Sequence, residues 1–322
     1  MADALSAKHF KDDEAARKYL EALRWPDGPT CPHCGSINHA YATKRAGLYR
    51  CAEAECRSDF TVTTRSVMER SKIALHKWLL GFYLMCSSKK GVSAHQLHRT
   101  LGITYRSAWF MSHRIREAMR EGGLVPPTPL GGEGKIVEAD ETYFGKIEGA
   151  PRYSRKKYTK PVKSGKPGPG GKRSVVSLVE RGGRVRSFHP AVAYGATVTA
   201  IVRENIARES RLMTDESKLY TRVGKEFASH ATTKHAAGEY VRGDVHSNSV
   251  EGYFSVFKRG MRGVYQHCGE KHLHRYLAEY DFRFNHRTAL GFNDGERAAL
   301  AVKGAADKRL TYRQPDRPIL QA

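Results

Sequence analysis

Four cysteines in two closely spaced pairs constrain the fold of this chain more than any other feature of its sequence. They form the pairs Cys31-x2-Cys34 and Cys51-x4-Cys56. Two such knuckles can close a tetrahedron of four thiolates around Zn²⁺. Disulfide bonds are the alternative, but residues 1–20 alternate in charge and contain no apolar stretch of an export signal, which favours reduced thiols. We therefore expect an N-terminal helix and a zinc ribbon over residues 1–65.

The charge balance points to a polyanionic partner. The chain has 55 Lys and Arg against 33 Asp and Glu, a formal net charge of +22. An excess of this size predicts binding to double-stranded DNA, mainly through phosphate contacts. A ribosome-associated or merely basic protein is the alternative. The longest apolar run, residues 78–86, is far shorter than the roughly 20 residues that span a membrane, so we expect no membrane partner.

Residues 66–125 have the layout of a helix-turn-helix. Ser93 and Thr104 are good N-caps for two successive helices, and Leu101-Gly102-Ile103 between them is typical of a tight turn. A plain helical hairpin is the alternative, but the adjacent zinc ribbon and the net charge favour a DNA-binding role. The arginines expected to contact DNA from the second helix are Arg106, Arg114 and Arg116.

Strand-like alternation begins after a Gly- and Pro-rich linker at residues 122–134. The sequence predicts a β-β-β-α-β-α order, with a hairpin turn at Arg181-Gly182-Gly183, which is what a ribonuclease H-like domain over residues 135–290 requires. Lys, Arg, Gly and Pro dominate residues 146–173, so this segment is expected to be a basic loop, either closing over DNA or serving as a solvated insert. Residues 291–322 are expected to form a polar C-terminal tail.

Three acidic residues are spaced so that two strands and one helix would bring them together. Asp140 lies within a predicted strand, Asp215 ends another, and Glu251 follows in an Asp-x35-Glu, Glu-x6-Lys pattern. Carboxylates placed in this way can hold a pair of Mg²⁺ or Mn²⁺ ions. Glu141 and Glu216 are expected to be weaker ligands, because neighbouring side chains of a strand point to opposite sides.

The segment 244–263 predicts an amphipathic helix with a polar strip beside its apolar stripe. Asn248 and Glu251 lie at one end of the strip, which suits a metal ion, and cations at the other end suit a phosphate backbone. A solvated helix face is the alternative, which the acids upstream make less attractive. The cations expected to hold phosphates are Lys258, Arg259 and Arg262.

With these acids the chain resembles the DDE superfamily of transposases and integrases. The segments HSNSVEGYFSVFKRGMRGVY and VEADETYFGK and the zinc-ribbon start resemble one family of bacterial insertion-sequence transposases, over nearly the whole chain. The resemblance implies an α/β multidomain protein whose catalytic residues are Asp140, Asp215, Glu251 and Lys258. Many members of that family carry Asn in place of the third acid, so Asn248 stays open as an alternative or a co-ligand to Glu251.

The expected function is cleavage of DNA at element ends and joining of the freed 3′-hydroxyl to target DNA. The expected cofactors are structural Zn²⁺ and catalytic Mg²⁺ or Mn²⁺. We expect a bacterial cytoplasmic protein, nucleoid-associated when bound to DNA, that self-associates as a dimer or larger assembly there. A zinc-ribbon and helix-turn-helix regulator, or an inactive transposase copy, is the alternative. A stand-alone nuclease would explain the acids but not two amino-terminal DNA-reading modules.

Overall fold

A computed structural model describes residues 4–122, 127–148, 171–233 and 241–311. The chain divides into two compact units, one made of residues 1–123 with 286–322 and the other of residues 124–285. The sequence predicted separate ribbon and helix-turn-helix regions and a tail. In the structure these three belong to one unit, and residues 124–285 are inserted between its parts. Among the described residues, no helix has both the length and the apolar character needed to cross a membrane.

The ribbon is a three-stranded antiparallel sheet next to one helix. Helix α1 (Asp13–Arg24) begins after Asp12, whose carboxylate accepts a hydrogen bond from the Ala15 amide at 2.8 Å. The strands are β1 (Ala40–Ala42), β2 (Tyr49–Cys51) and β3 (Asp59–Phe60), in the order β1-β2-β3. Strands β1 and β2 form a hairpin in which Ala40 lies opposite Cys51 and Ala42 opposite Tyr49. The rings of Trp25, Tyr49 and Phe60 pack on one another with centroids 5.5–5.9 Å apart.

Three further helices follow, namely α2 (Leu75–Ser87), α3 (Ala94–Leu101) and α4 (Tyr105–Met119). The predicted caps are confirmed: Ser93 accepts from the Gln96 amide, and Thr104 accepts from the Ser107 amide. Gly102 adopts φ 57°, the left-handed conformation that ends α3 and permits the turn. The residues that pack α3 and α4 together are Leu97, Leu101, Ala108, Met111 and Ile115, all buried.

The second unit has a five-stranded mixed sheet in the order β6-β5-β4-β7-β8. The strands are β4 (Ile136–Lys146), β5 (Lys172–Glu180), β6 (Val185–Phe188), β7 (Arg211–Asp215) and β8 (Ser229–Thr233). The first three are antiparallel, whereas β4, β7 and β8 run parallel. The predicted elements occur in the predicted order, but α6 (Thr221–Gly224) and β8 come between β7 and α7 (Asn248–Gly260), so the order is β-β-β-α-β-α-β-α. The sequence did not predict β8, because Ser229–Thr233 is too polar to indicate a strand.

Helices cover both faces of this sheet. The helices are α5 (Gly195–Asn205), the short α6 (Thr221–Gly224), α7 (Asn248–Gly260) and α8 (Leu273–Asn285). One core joins Val137 and Ala139 of β4 to α5 and α6. The other joins the alternate residues of β5 to α7 and α8, through Val250, Phe254 and Phe257 among others. Glu138 and Asp140 of β4 therefore lie on the α7 side, because side chains alternate along a strand.

The predicted basic loop 146–173 falls mostly outside the described residues. Its described ends are closed by a bond from the Ile147 amide to the Gly171 carbonyl. Glu148 and Glu270 also exchange hydrogen bonds, each carboxylate accepting from the other residue's amide at 2.9 Å. Glu270 opens a 3₁₀ turn just before α8, so the described base of the loop is fixed to the connection between α7 and α8.

A helix replaces much of the predicted C-terminal tail. Helix α9 (Asp294–Lys303) begins with a capping box between Asn293 and Glu296. Its buried residues pack against α2 of the first unit, and Arg297, only 7% exposed, donates to the Cys86 carbonyl at 3.1 Å. The tail prediction therefore needs correction up to residue 311, and residues 312–322 lie outside the described residues. The sequence pattern did not indicate this helix, because small alanines form most of its apolar face.

Candidate metal centres and active site

The four cysteine sulfurs converge in the ribbon. The Sγ atoms of Cys31 and Cys56 are 3.7 Å apart, those of Cys34 and Cys51 are 3.6 Å apart, and all four lie within 4.8 Å of one another. A tetrahedral zinc ion with Zn–S bonds of about 2.3 Å requires sulfurs separated by about 3.8 Å, whereas a disulfide requires about 2.05 Å. The cysteines therefore fit a closed structural zinc site, and disulfides are not formed.

A polar network ties the two cysteine knuckles together beside the sulfurs. The Glu53 carboxylate accepts from Ser36 Oγ at 2.9 Å and pairs with His39 Nδ1 at 2.8 Å. Ser36 follows the first knuckle and Glu53 lies within the second. The network therefore links the segment after Cys34 to the segment between Cys51 and Cys56. His39 is engaged in this network and is not a member of the sulfur cluster.

Three carboxylates meet at one end of the five-stranded sheet. Oxygens of Asp140, Glu141 and Asp215 all lie within 4.8 Å of one another. The two aspartates come together because β4 and β7 are parallel neighbours with Ala139 opposite Thr214, which places the next residue of each strand side by side. The structure thus brings together two of the three acids singled out in the sequence.

Glu141 joins this cluster although its position in the strand suggested a weaker ligand. Strand β7 ends at Asp215, but β4 continues to residue 146. Beyond Ala139, β4 therefore has no pairing with β7. The longer Glu141 side chain can reach the two aspartates there. Tyr220 Oη donates to Glu141 at 2.9 Å and Ser217 Oγ at 3.4 Å. Sequence reasoning missed both donors, and no spacing rule would have identified them.

The third predicted acid, Glu251, lies in the first turn of α7 and outside the close cluster. It is exposed, and its carboxylate accepts from Ser247 Oγ at 2.9 Å. Asn248 is the first residue of the same helix and is also exposed. Both candidates for the third ligand therefore lie in the first turn of α7.

The electrostatics of the carboxylate cluster favour a bound cation. Burial, and then the neighbouring charges of Asp215, Glu141 and Glu251, raise the pKa of Asp140 to about 8. Burial also raises the pKa of Glu141, which the Tyr220 hydroxyl partly offsets. Like charges held this close repel one another unless protons or a cation neutralise them. Hard carboxylate oxygens are the donors that Mg²⁺ and Mn²⁺ prefer, so these residues fit a divalent ion.

Cations follow the same helix toward its C-terminal end. Burial, together with Arg262 and Lys172, lowers the pKa of Lys258, while Asp140 acts in the opposite direction. Lys258 Nζ also lies 5.9 Å from the centre of the Phe254 ring. Arg259 and Arg262 are exposed, the latter in a π-helical turn at Met261–Tyr265. The predicted sequence of acids followed by cations is therefore present on one helix and its extension.

The three arginines predicted to contact DNA from α4 differ in their surroundings. Arg106 is exposed in the first turn. Arg114 donates to the carbonyls of Leu310 and Glu69, each at 3.2 Å. Arg116 is 2% exposed and donates to Ser112 Oγ at 3.1 Å. Arg116 therefore offers no guanidinium to a ligand, and Arg114 stabilises its own unit. A helical pattern shows which residues share a face but not which flank is covered.

Two family models match this chain. The ISXO2-like transposase domain matches residues 129–285, and the transposase zinc-ribbon domain matches residues 11–59. An uncharacterized protein in transposable element ISH50 of Halobacterium salinarum is 29% identical over 276 residues, which cover 80% of this chain and 87% of that protein.

Solved structures give weaker likenesses. A chain in the cryo-EM structure of the simian T-cell lymphotropic virus intasome in complex with PP2A regulatory subunit B56 gamma is 14% identical, with a TM-score of 0.28, covering 57% of this chain and 63% of that chain. The Mos1 transposase paired-end complex with left transposon end gives 13% identity and a TM-score of 0.18, with 64% and 79% covered. These TM-scores are too low to carry an argument. On the two family matches, the chain belongs to the insertion-sequence transposases that combine an N-terminal zinc ribbon with a DDE-type domain.

Proposed function

We propose that this transposase cleaves DNA at the ends of its element and joins the freed 3′-hydroxyl to target DNA by two-metal phosphoryl transfer. The observation that carries the proposal is the convergence of Asp140, Glu141 and Asp215 oxygens within 4.8 Å at one end of the sheet. Asp140 and Asp215 would hold the catalytic ions, and Glu251 or Asn248 would complete the site from α7. The reaction would take place in the bacterial cytoplasm, on nucleoid DNA.

Each residue of the site has a defined part in the reaction. Bound Mg²⁺ or Mn²⁺ would supply Lewis acidity to the attacking and leaving oxygens. Lys258 and Arg262 would hold phosphates of the bound strand. Burial and then the charge of Arg262 lower the pKa of Lys258, and an anion between the two cations would relieve their repulsion. In cleavage, water attacks phosphorus and the bond to the 3′-oxygen breaks. In joining, that 3′-hydroxyl attacks a target phosphate and displaces another 3′-oxygen.

The remaining parts of the proposal concern zinc, DNA recognition and assembly. Cys31, Cys34, Cys51 and Cys56 would hold one structural Zn²⁺. Arg106 would contact DNA from the helix-turn-helix, and Arg259 would add a phosphate contact beside Lys258. Two element ends must be joined in one reaction, so the chain would act as a dimer or larger assembly on DNA.

Strand cleavage on labelled duplexes that carry the gene's own flanking inverted repeats tests the proposal. The wild-type chain should nick at the repeat boundary with Mg²⁺ or Mn²⁺. Asp140→Asn should lower the rate by about a thousandfold or more, because a carboxylate that would hold the catalytic ions is lost, while binding of the duplex persists. Glu216→Gln is the matched control, since Glu216 adjoins Asp215 but is not in the carboxylate cluster, and it should cleave like wild type.

Binding without cleavage would favour the regulator or inactive-copy alternative. Tight, repeat-specific binding with no nicking under either metal would contradict the proposed catalysis. The DNA contact is tested separately by Arg106→Ala, which should reduce the salt dependence of binding by about one phosphate contact. Arg203→Ala is the control of equal charge, because Arg203 is paired with Glu226. Equal losses in both variants would show that Arg106 contributes only net charge.

A further inference from the structure

The side chain of Glu138 is buried close to the site, where the mechanism above gives it no part. Glu138 lies on β4 two residues before Asp140 and has no solvent exposure. Its carboxylate accepts from the Ser249 amide at 2.7 Å, the Val250 amide at 3.0 Å and Ser249 Oγ at 3.0 Å. All three donors belong to the first turn of α7. A carboxylate buried this deeply is tolerated only because donors surround it.

These bonds make Glu138 the N-terminal cap of α7. The first amides of a helix have no acceptor within the helix, and the preceding residue usually supplies one. Here the preceding residue is Ser247, which makes no capping bond and donates to Glu251 instead. A strand residue therefore takes the place of the usual cap, and the positive end of the helix dipole favours its negative charge.

Arg181 connects the same carboxylate to the segment that enters α7. Its Nε donates to Glu138 at 2.9 Å, and its other nitrogens donate to the carbonyls of Asp244 at 2.8 Å and His246 at 3.1 Å. His246 Nδ1 lies 3.4 Å from Glu138. The cation balances the buried charge, and residues 244–250 are held to β4 through one side chain.

We propose that Glu138 is a positioning residue that fixes the first turn of α7, and with it Glu251 and Asn248, against Asp140. The inference rests on the proposed function, in which that turn completes the metal site. Residues 138 and 140 share one face of β4 and are separated by about 7 Å along the strand. Apolar residues further along α7 pack into the core, so loss of the cap loosens the first turn without detaching the helix.

Titration of the full chain with Mn²⁺ in the absence of DNA, followed by electron paramagnetic resonance, tests this inference. Glu138→Gln keeps the shape and one acceptor oxygen, but its amide nitrogen cannot accept from the helix. We expect its Mn²⁺ affinity to fall by about tenfold to a hundredfold, as for other residues that orient metal ligands. Strand cleavage should then need correspondingly more Mn²⁺ for half its maximal rate.

Glu180→Gln is the matched control. Glu180 lies in the same sheet and accepts from the Gly131 amide at 3.0 Å and from Lys135 Nζ at 2.9 Å, away from α7. It should lose stability without losing Mn²⁺ affinity. A folded Glu138→Gln protein with wild-type Mn²⁺ affinity overturns the inference. A wild-type chain that binds no Mn²⁺ overturns the proposed function itself, so the two failures are distinguishable.

Ser249→Ala decides the matter if Glu138→Gln does not fold. It removes only the hydroxyl donor and leaves both amide bonds to Glu138 in place. One hydrogen bond to a charged group then disappears, and Mn²⁺ affinity should fall by about threefold. Unchanged affinity in Ser249→Ala would overturn the inference for this pair, because the Ser249 hydroxyl bond to Glu138 would then not help to position the first turn.

Discussion

The two candidate metal centres of this chain differ in what surrounds them. The cysteine sulfurs lie in a ribbon whose strands have two or three residues, beside a small cluster of three aromatic rings. The carboxylates lie at the end of a five-stranded sheet with an apolar core on each face. A small module cannot bury enough apolar surface to fold alone, whereas a two-sided sheet can.

We therefore expect the ribbon to need its metal in order to fold, whereas the five-stranded sheet should fold without metal. In the ribbon, four separated chain positions come together only if something binds all of them. In the sheet, register and hydrogen bonds bring Asp140 and Asp215 together first, and the cost is the burial and then the mutual repulsion of the carboxylates, which raise the pKa of Asp140 to about 8. Removing metal should therefore unfold the ribbon but leave the sheet intact.

The largest effect is expected for Cys51→Ser. Cys51 is fully buried, and a structural zinc contributes on the order of 10 kcal/mol to a module of this kind. The variant should lose its bound zinc, measured by a colorimetric chelator assay. Hydrogen exchange should become fast over residues 31–60, while β4, β5 and β7 keep their protection. Cys268→Ser, outside the ribbon, should keep its zinc. A full zinc content in Cys51→Ser, or loss of protection in the sheet, would contradict the claim that only the ribbon depends on bound zinc.

The next effect is a pH-dependent stabilisation of the metal-free sheet by Asp140→Asn. The folded pKa of Asp140, about 8, lies above its ordinary value of 3.8. The folded state therefore holds a proton that the unfolded state releases, and wild-type stability is lost as pH rises from about 4 to 8. Asparagine does not titrate, so the variant should gain about 2–3 kcal/mol over wild type at pH 8, after allowance for coupling within the cluster.

Thermal unfolding in chelator at pH 4.5 and pH 8 measures this stabilisation. The melting temperatures of the variant and of wild type should nearly coincide at pH 4.5. At pH 8 the variant should melt about 5 °C higher. Added Mn²⁺ should raise the melting temperature of wild type and not that of the variant. A variant that is less stable than wild type at pH 8 would show that the ionised Asp140 carboxylate does not destabilise the folded state.

A smaller effect distinguishes Glu141 from Glu251. Glu141 lies within the carboxylate cluster and Glu251 lies outside it, so Glu141→Gln should weaken Mn²⁺ binding without DNA by about tenfold, or 1.4 kcal/mol. Glu251→Gln should weaken it less under the same conditions, although both should lower cleavage. Calorimetric titration with Mn²⁺ of the two variants, with Glu216→Gln as the control, ranks their Mn²⁺ affinities. The reverse order would place the third ligand on α7 even before DNA binds.

The smallest effect is expected for Tyr220→Phe. Tyr220 is fully buried and its hydroxyl donates to Glu141. Without that bond the carboxylate is free to turn from the aspartates, and Mn²⁺ affinity should fall by about threefold. Tyr143→Phe is the control, because Tyr143 lies on β4 two residues after Glu141. Equal affinities for wild type and Tyr220→Phe would indicate that the metal alone orders Glu141, as in the zinc site.

Features set by local spacing were predictable from the sequence. Two cysteine knuckles, the caps at Ser93 and Thr104, and the alternation around Asp140 each depend on residues a few positions apart. Their geometry follows from turn chemistry and from the period of a strand. For the same reason the sequence indicated strands β4 to β7 of the second unit, although not β8.

Features set by distant partners were not predictable. The burial of Arg116 depends on which helix covers that flank of α4. The place of Glu141 depends on where β7 stops, and strand alternation alone pointed it away from the aspartates. The role of Glu138 depends on a helix that begins 110 residues later in the chain. Each outcome is decided by packing, which a local pattern does not encode.

Because α9 packs against α2, the core of the first unit is complete only after the last part of the chain has been made. The ribosome completes residues 124–285 before it makes α9, so the second unit can fold while the core of the first unit still lacks this helix. The nascent chain would then hold a finished second unit and an unfinished first unit. A frameshift or stop codon after residue 285 would leave the second unit whole and damage the unit encoded at the opposite end of the gene.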